Sequence, residues 1–195
     1  GFTFIEIMVT IIIIGILSTL GISTFQSTQK KARDVNRKAS LTAVTKALEQ
    51  YMTDKGQYPP SKDSFDIETG KIRWCGASDA PDATGCSWGD PLTDVTNTGE
   101  EKTVYMASLP KDMVTAQTYF YEGVETDGKV KGYKLYARLE NTKDQDIPLD
   151  TDGKPTRYNQ PCRPGDSRGS DSYWCNYVIT SDTVACPDGN VYLAY

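Results

Sequence analysis

The sequence predicts an α+β fold, in which the second half of one long N-terminal helix packs on a small antiparallel β-sheet with disulfide-stapled loops. Three observations carry that expectation. An uncharged run from Ile7 to Phe25 leads into a segment whose apolar residues recur at helical spacing. Gly56 and Tyr58-Pro59-Pro60 then supply a helix stop. Beyond them the chain turns to Gly, Asp, Thr, Ser and Pro, with short β-rich stretches and all five cysteines.

The first element, residues 1–29, reads as a membrane-spanning or filament-core half-helix and holds a single ionisable side chain, Glu6. At 1.5 Å per residue, residues 7–25 cover about 28 Å, close to the thickness of a bilayer core. A secretory signal peptide would place Lys or Arg before the run and a small-residue cleavage site after it, and neither is present. A simple anchor leaves Glu6 unexplained, because an ionised carboxylate deep in hydrocarbon costs about 2.5–3.5 kcal/mol. With no basic side chain among the first 29 residues, the available cation is a chain-terminal amine. An amine on a neighbouring chain reaches Glu6 only where helices pack side by side, so the pattern points to assembly. The expected filament core is Ile7, Met8, Val9, Ile11, Ile12, Ile13, Ile14, Ile16, Leu17 and Leu20. Gly15 and Gly21 each cost about 1 kcal/mol relative to Ala in a helix. They mark where this segment is expected to loosen in a filament, although it stays helical in a bilayer.

The second element, residues 30–55, is the amphipathic half, with seven basic groups against three acids. Leu41, Val44, Leu48 and Tyr51 fall at i, i+3, i+7 and i+10, with Ala43 and Ala47 alongside. That is one apolar stripe, able to cover one face of a sheet. Residues 26–40 are polar nearly all round and read as a neck between membrane and body.

The third element, residues 56–195, is an acidic extracellular head with 14 basic groups against 22 acids. The chain has no histidine, which removes Ser-His-Asp, Cys-His and His-zinc schemes, and no other catalytic constellation is visible. Residues 61–103 read as a long loop pinned by a Cys75–Cys86 bridge, and residues from about 104 to 195 as the sheet. Thr118–Glu122 and Lys131–Leu139 flank Asp127-Gly128 as an antiparallel hairpin, with further strands expected at 173–180 and 191–195. Cys175 and Cys186 would face each other if a hairpin turned at Thr180-Ser181. Dispersed cysteines without C-x-x-C spacing fit staples formed in an oxidising exterior, and their odd number leaves one thiol free or paired with another chain. Gly123 to Lys129 matches G-x-x-x-x-G-K, but Val130 stands where Ser or Thr would ligate magnesium, so the match reads as a turn. Arg163 and Arg168 are too few to argue a nucleic-acid site on an acidic body. Asp144, Asp146, Asp150 and Asp152 crowd one loop, either solvated or holding Ca²⁺, though without EF-hand spacing.

Gly1-Phe2-Thr3-Phe4-Ile5-Glu6-Ile7-Met8-Val9 resembles the processing and assembly signature of type IV pilins and type II secretion pseudopilins. The resemblance implies that a prepilin peptidase cuts after Gly1, that Phe2 becomes an N-methylated terminus and that Glu6 sets subunit register. Because Gly1 is present, either that residue is retained or processing falls one residue earlier. A removed basic leader would have supplied the cytoplasmic charge and left the acidic head outside. Leu48-x-x-Tyr51, Gly56-Gln57-Tyr58-Pro59 and Ser108-Leu109-Pro110-Lys111-Asp112 resemble the helix exit and loop of pseudopilin-like pilins more loosely. In the resembled family a comparable loop carries Ca²⁺, which is what implies that ion here.

The implied fold is type IV pilin-like. The implied protein is a structural subunit, not an enzyme, that starts in the cytoplasmic membrane and ends in an extracellular helical homopolymer. Its partners would be other copies of itself, the inner membrane, the prepilin peptidase and the pilus assembly machinery. The enlarged, cysteine-bearing head favours a type IV pilus serving adhesion, twitching motility or DNA uptake. The alternative is a type II secretion pseudopilin, and the rival outside the family is a membrane-tethered binding module or enzyme.

Overall fold

The computed structural model describes residues 1–61, 70–73, 86–93, 103–162 and 174–181, and the side chains of 19–24 and 159–161 lie outside that description. Helix α1 (Phe4–Lys55) is continuous over 52 residues, or about 78 Å at the standard rise. Thr3 caps its start. Gly56 ends it in the left-handed region (φ 70°), its N–H donating to the Met52 carbonyl at 2.8 Å.

The exit is stitched directly to the sheet. The Tyr58 N–H donates to the Val130 carbonyl at 2.9 Å, the Tyr121 hydroxyl to the Pro59 carbonyl at 2.6 Å, and the Gly123 N–H to Ser61 Oγ at 2.8 Å. This close approach requires glycine at position 123, where a Cβ would stand 3.0 Å from Val130 Cγ1 and 3.3 Å from the Pro59 oxygen.

The described strands are β1 (Leu92–Thr93), β2 (Val104–Met106), β3 (Phe120–Thr126), β4 (Lys129–Ala137), β5 (Tyr158–Pro161), β6 (Trp174–Cys175) and β7 (Tyr177–Thr180). The central antiparallel sheet has the order β3-β4-β7, flanked by the pairs β1-β2 and β5-β6. Asp127 and Gly128 both take positive φ (54° and 73°), the geometry of a tight hairpin turn, as their sequence predicts.

On one face of the sheet Leu41, Val44, Ala47 and Leu48 are buried against Tyr121, Tyr133, Leu135, Ala137 and Ile179. Burying a side chain of this kind stabilises by roughly 1.5–3 kcal/mol. Ala43 lies off the stripe and is exposed. The opposite face is covered as well, contrary to the expectation of one buried face. Phe120, Tyr136 and Val178 pack there against Tyr158 and a disulfide.

That disulfide joins Cys162 to Cys175, with Cα atoms 5.3 Å apart, and corrects the expected Cys175–Cys186 bridge. The pairing of β5 with β6 sets Tyr158 opposite Cys175 and carries the chain on to Cys162 beside it. No turn occurs at Ser181, whose N–H still donates to the Tyr133 carbonyl alongside β4. Cys86 is also disulfide-bonded. Its partner, Cys75, Cys186 and the expected strand at 191–195 lie outside the described residues.

Candidate assembly site

The free end of α1 is a rod with apolar side chains on every side. Phe2, Phe4, Ile5, Ile7, Met8, Val9, Ile11–Ile14, Ile16 and Leu17 are between 42% and 88% exposed. Two hydroxyls within the run bond back to the helix, Thr10 donating to the Ile7 carbonyl at 2.8 Å and Ser18 to the Ile14 carbonyl at 2.7 Å. Bonding back to the helix removes their need for water. Among the described residues no helix is long and apolar enough to cross a membrane. Side chains are described up to Ser18 and again from Phe25, and the backbone between them is helical.

Glu6 sits at the third helical position. Its Oε2 accepts from the Thr3 N–H and the Thr3 hydroxyl, each at 2.7 Å, and the Glu6 N–H returns a bond to Thr3 Oγ1 at 3.4 Å. This capping box fixes the first turn. It holds the carboxylate at the rim of the rod through one oxygen, so the other is presented outward. Thr3 was not singled out in the sequence, although its spacing from Glu6 is the capping-box pattern.

The other end of the rod is clamped to the head by charge. Arg37 is only 2% exposed, and its guanidinium binds Asp112 twice, Nε to Oδ2 at 2.6 Å and Nη2 to Oδ1 at 3.0 Å. It also meets Asp34 at 2.8 Å and Glu140 at 2.9 Å. Asp34, 1% exposed, accepts the backbone N–H groups of Glu140 and Asn141 at 2.9 and 2.8 Å. Arg33 grips Glu140 with Nε at 2.8 Å and Nη2 at 2.6 Å. Asn176, between β6 and β7, holds the loop in place by bonding both the N–H and the carbonyl of Leu139.

Burial alone would push the Arg37 guanidinium down, but its bonds to Asp112, Glu140 and Asp34 raise it. The Arg33 bond, reinforced by Arg37, holds the Glu140 carboxyl at about 2, against an ordinary 4.5. A buried ion cluster is tolerable only when each charge is paired and hydrogen-bonded, as these are.

The four aspartates read as either solvated or holding Ca²⁺ have separate partners in the structure. Asp144 and Asp146 close on the Lys38 ammonium at 2.6 and 2.5 Å. Those two bonds outweigh the effect of burial and raise the lysine. Asp150 instead accepts the N–H groups of Asp152 and Lys154 within its own turn. Among the described residues no cluster of three or more acidic or thiol groups is arranged to hold a metal ion.

Sequence reasoning missed the clamp. The signal was present: Asp34 and Arg37 continue the row of Leu41, Val44, Leu48 and Tyr51 at alternating spacings of three and four.

Comparison with known proteins finds relatives named type II secretion system core protein G. The one from Aeromonas hydrophila is 32% identical over 71 residues, covering 36% of this chain and 50% of the relative. Those from Escherichia coli K12 and Pseudomonas aeruginosa are 33% and 35% identical over 66 residues, covering 34% of this chain and 46% of each relative. The chain therefore spans about half the length of the curated relatives it matches. No family model and no solved structure matches it.

A rod that is apolar at its free end and clamped to a small antiparallel sheet at the other gives the chain an α+β, pilin-like fold. Over about a third of its length it is similar to these type II secretion core proteins.

Proposed function

We propose that the chain is a pseudopilin-type subunit of a type II secretion filament. The apolar halves of α1 from many copies bundle into the core, the heads form the outer shell, and Glu6 sets axial register against a neighbour's terminal amine. The observation that carries this reading is the exposed rod from Phe2 to Leu17. No single chain keeps such a surface in water, and lipid or other copies of the rod must cover it.

Before assembly the rod rests in the cytoplasmic membrane, after cleavage at Gly1 and methylation of Phe2. Lipid already satisfies its apolar side chains, so extraction needs a motor, and helix packing then holds the polymer. The segment from Gly15 to Thr24 loosens in the filament.

The relatives favour secretion over the pilus that the cysteine-bearing head suggested. The Cys162–Cys175 bridge lies inside the cluster behind the sheet, where it stabilises the head and says nothing about an exposed coat. Deleting the gene in its native host tests the assignment. Exported enzymes should accumulate inside the envelope, with twitching and DNA uptake intact. Lost twitching with normal secretion would move the assignment to a pilus.

A further inference from the structure

A cleft of about 1220 Å³ opens between the start of the clamped part of α1 and the 138–157 segment of the head. Lys30, Arg33, Arg138, Lys154 and Arg157 line it together with Trp174. Three of these cations come from a head with 14 basic and 22 acidic groups and two from α1, so the cleft is basic against an acidic surround even with Arg33 bound to Glu140. The two acids in its wall are already engaged. Glu140 is held by Arg33 and Arg37, and Asp150 accepts two amides of its own turn. Gln117 also lines the cleft.

Position along the rod narrows the choice of ligand. Lys30 and Arg33 lie five and eight residues past Phe25, the last residue of the apolar run. At 1.5 Å per residue that is about 8 and 12 Å beyond the hydrocarbon edge, at and just outside the outer limit of the headgroup layer, where long basic side chains reach back to phosphate. A tryptophan with cations around it at that depth is the usual chemistry of a membrane interface.

We propose that this cleft binds the headgroup of an anionic phospholipid, phosphatidylglycerol being the simplest. The phosphate meets the cations. The headgroup then holds the head upright on the membrane until the subunit is drawn into the polymer. This rests on the reading of a membrane-held precursor.

The test uses the full chain in nanodiscs of phosphatidylethanolamine and phosphatidylglycerol in equal amounts, with native mass spectrometry of the lipid that stays bound on release. Phosphatidylglycerol should be enriched about tenfold in the wild type. In a Lys154→Ala/Arg157→Ala variant, whose substitutions lie on the surface and leave the melting temperature unchanged, the enrichment should largely vanish. Equal retention of the two lipids by the wild type, or undiminished selectivity in the variant, overturns the proposal. So does displacement of the lipid by micromolar glycerol phosphate, which would make a soluble anion the occupant. A variant that keeps its lipid preference but cannot polymerise would make the cleft a contact between subunits, again overturning the proposal. Failure to enter the bilayer would refute the precursor reading itself, whereas insertion without selectivity refutes the cleft alone.

Discussion

Arg37 decides how the rod sits on the head. Among the described residues it is the cation that touches Asp34 on its own helix, Asp112 before β3 and Glu140 after β4. Removing it leaves the buried carboxylates of Asp34 and Asp112 with backbone N–H donors but no cation. Arg37→Met should therefore cost about 3–5 kcal/mol, read by urea unfolding at neutral pH.

Glu140 gives the same site a pH dependence. Its folded carboxyl keeps its charge down to about 2, against an ordinary 4.5. The contribution is complete above about pH 4.5 and is lost as pH falls through about 2, on the order of 3 kcal/mol in total. Stability should decline over that window, and Glu140→Gln should flatten the decline. An unchanged acid slope in the variant would place the titration elsewhere.

At the scale of elements, the head depends on a bridge the sequence did not pair correctly. The cysteines of the Cys162–Cys175 bond are 13 residues apart, and closing so short a loop contributes about 3 kcal/mol in the chain-entropy picture. A Cys162→Ser/Cys175→Ser double variant should lose about that much and loosen the Phe120–Tyr136–Tyr158 cluster, visible as altered near-ultraviolet dichroism.

What could be read from sequence here follows a simple division. The helix, its Gly56 stop and the Asp127-Gly128 hairpin were legible because each rests on local chemistry: periodicity, a left-handed cap, two positive-φ residues. The apolar stripe was legible for the same reason. The stripe's continuation through Asp34 and Arg37 was not, since a charged residue reads as solvated until its distant partners are known. Asp112 and Glu140 lie more than 70 residues away. The aspartate loop was left between solvation and Ca²⁺ for the same reason, because Lys38, which answers two of its carboxylates, is about a hundred residues earlier in the chain.

The whole molecule is a rod with a head at one end, and the two parts have opposite requirements. The head is closed, with both faces of its sheet covered. The rod is open, with its apolar side chains uncovered and one oxygen of Glu6 facing outward. Such a division predicts that stability and assembly separate under mutation. Changes at Arg37 or Cys162 act on the head. Changes at Glu6 act on contacts between copies.

Glu6→Ala provides the most direct measurement. Wild-type and variant chains, processed and extracted alike, are imaged by negative-stain electron microscopy, with the melting temperature of the head followed in parallel. The account predicts filaments from the wild type, few or defective ones from the variant, and the same melting temperature in both. Filaments of normal length and pitch from Glu6→Ala would contradict it.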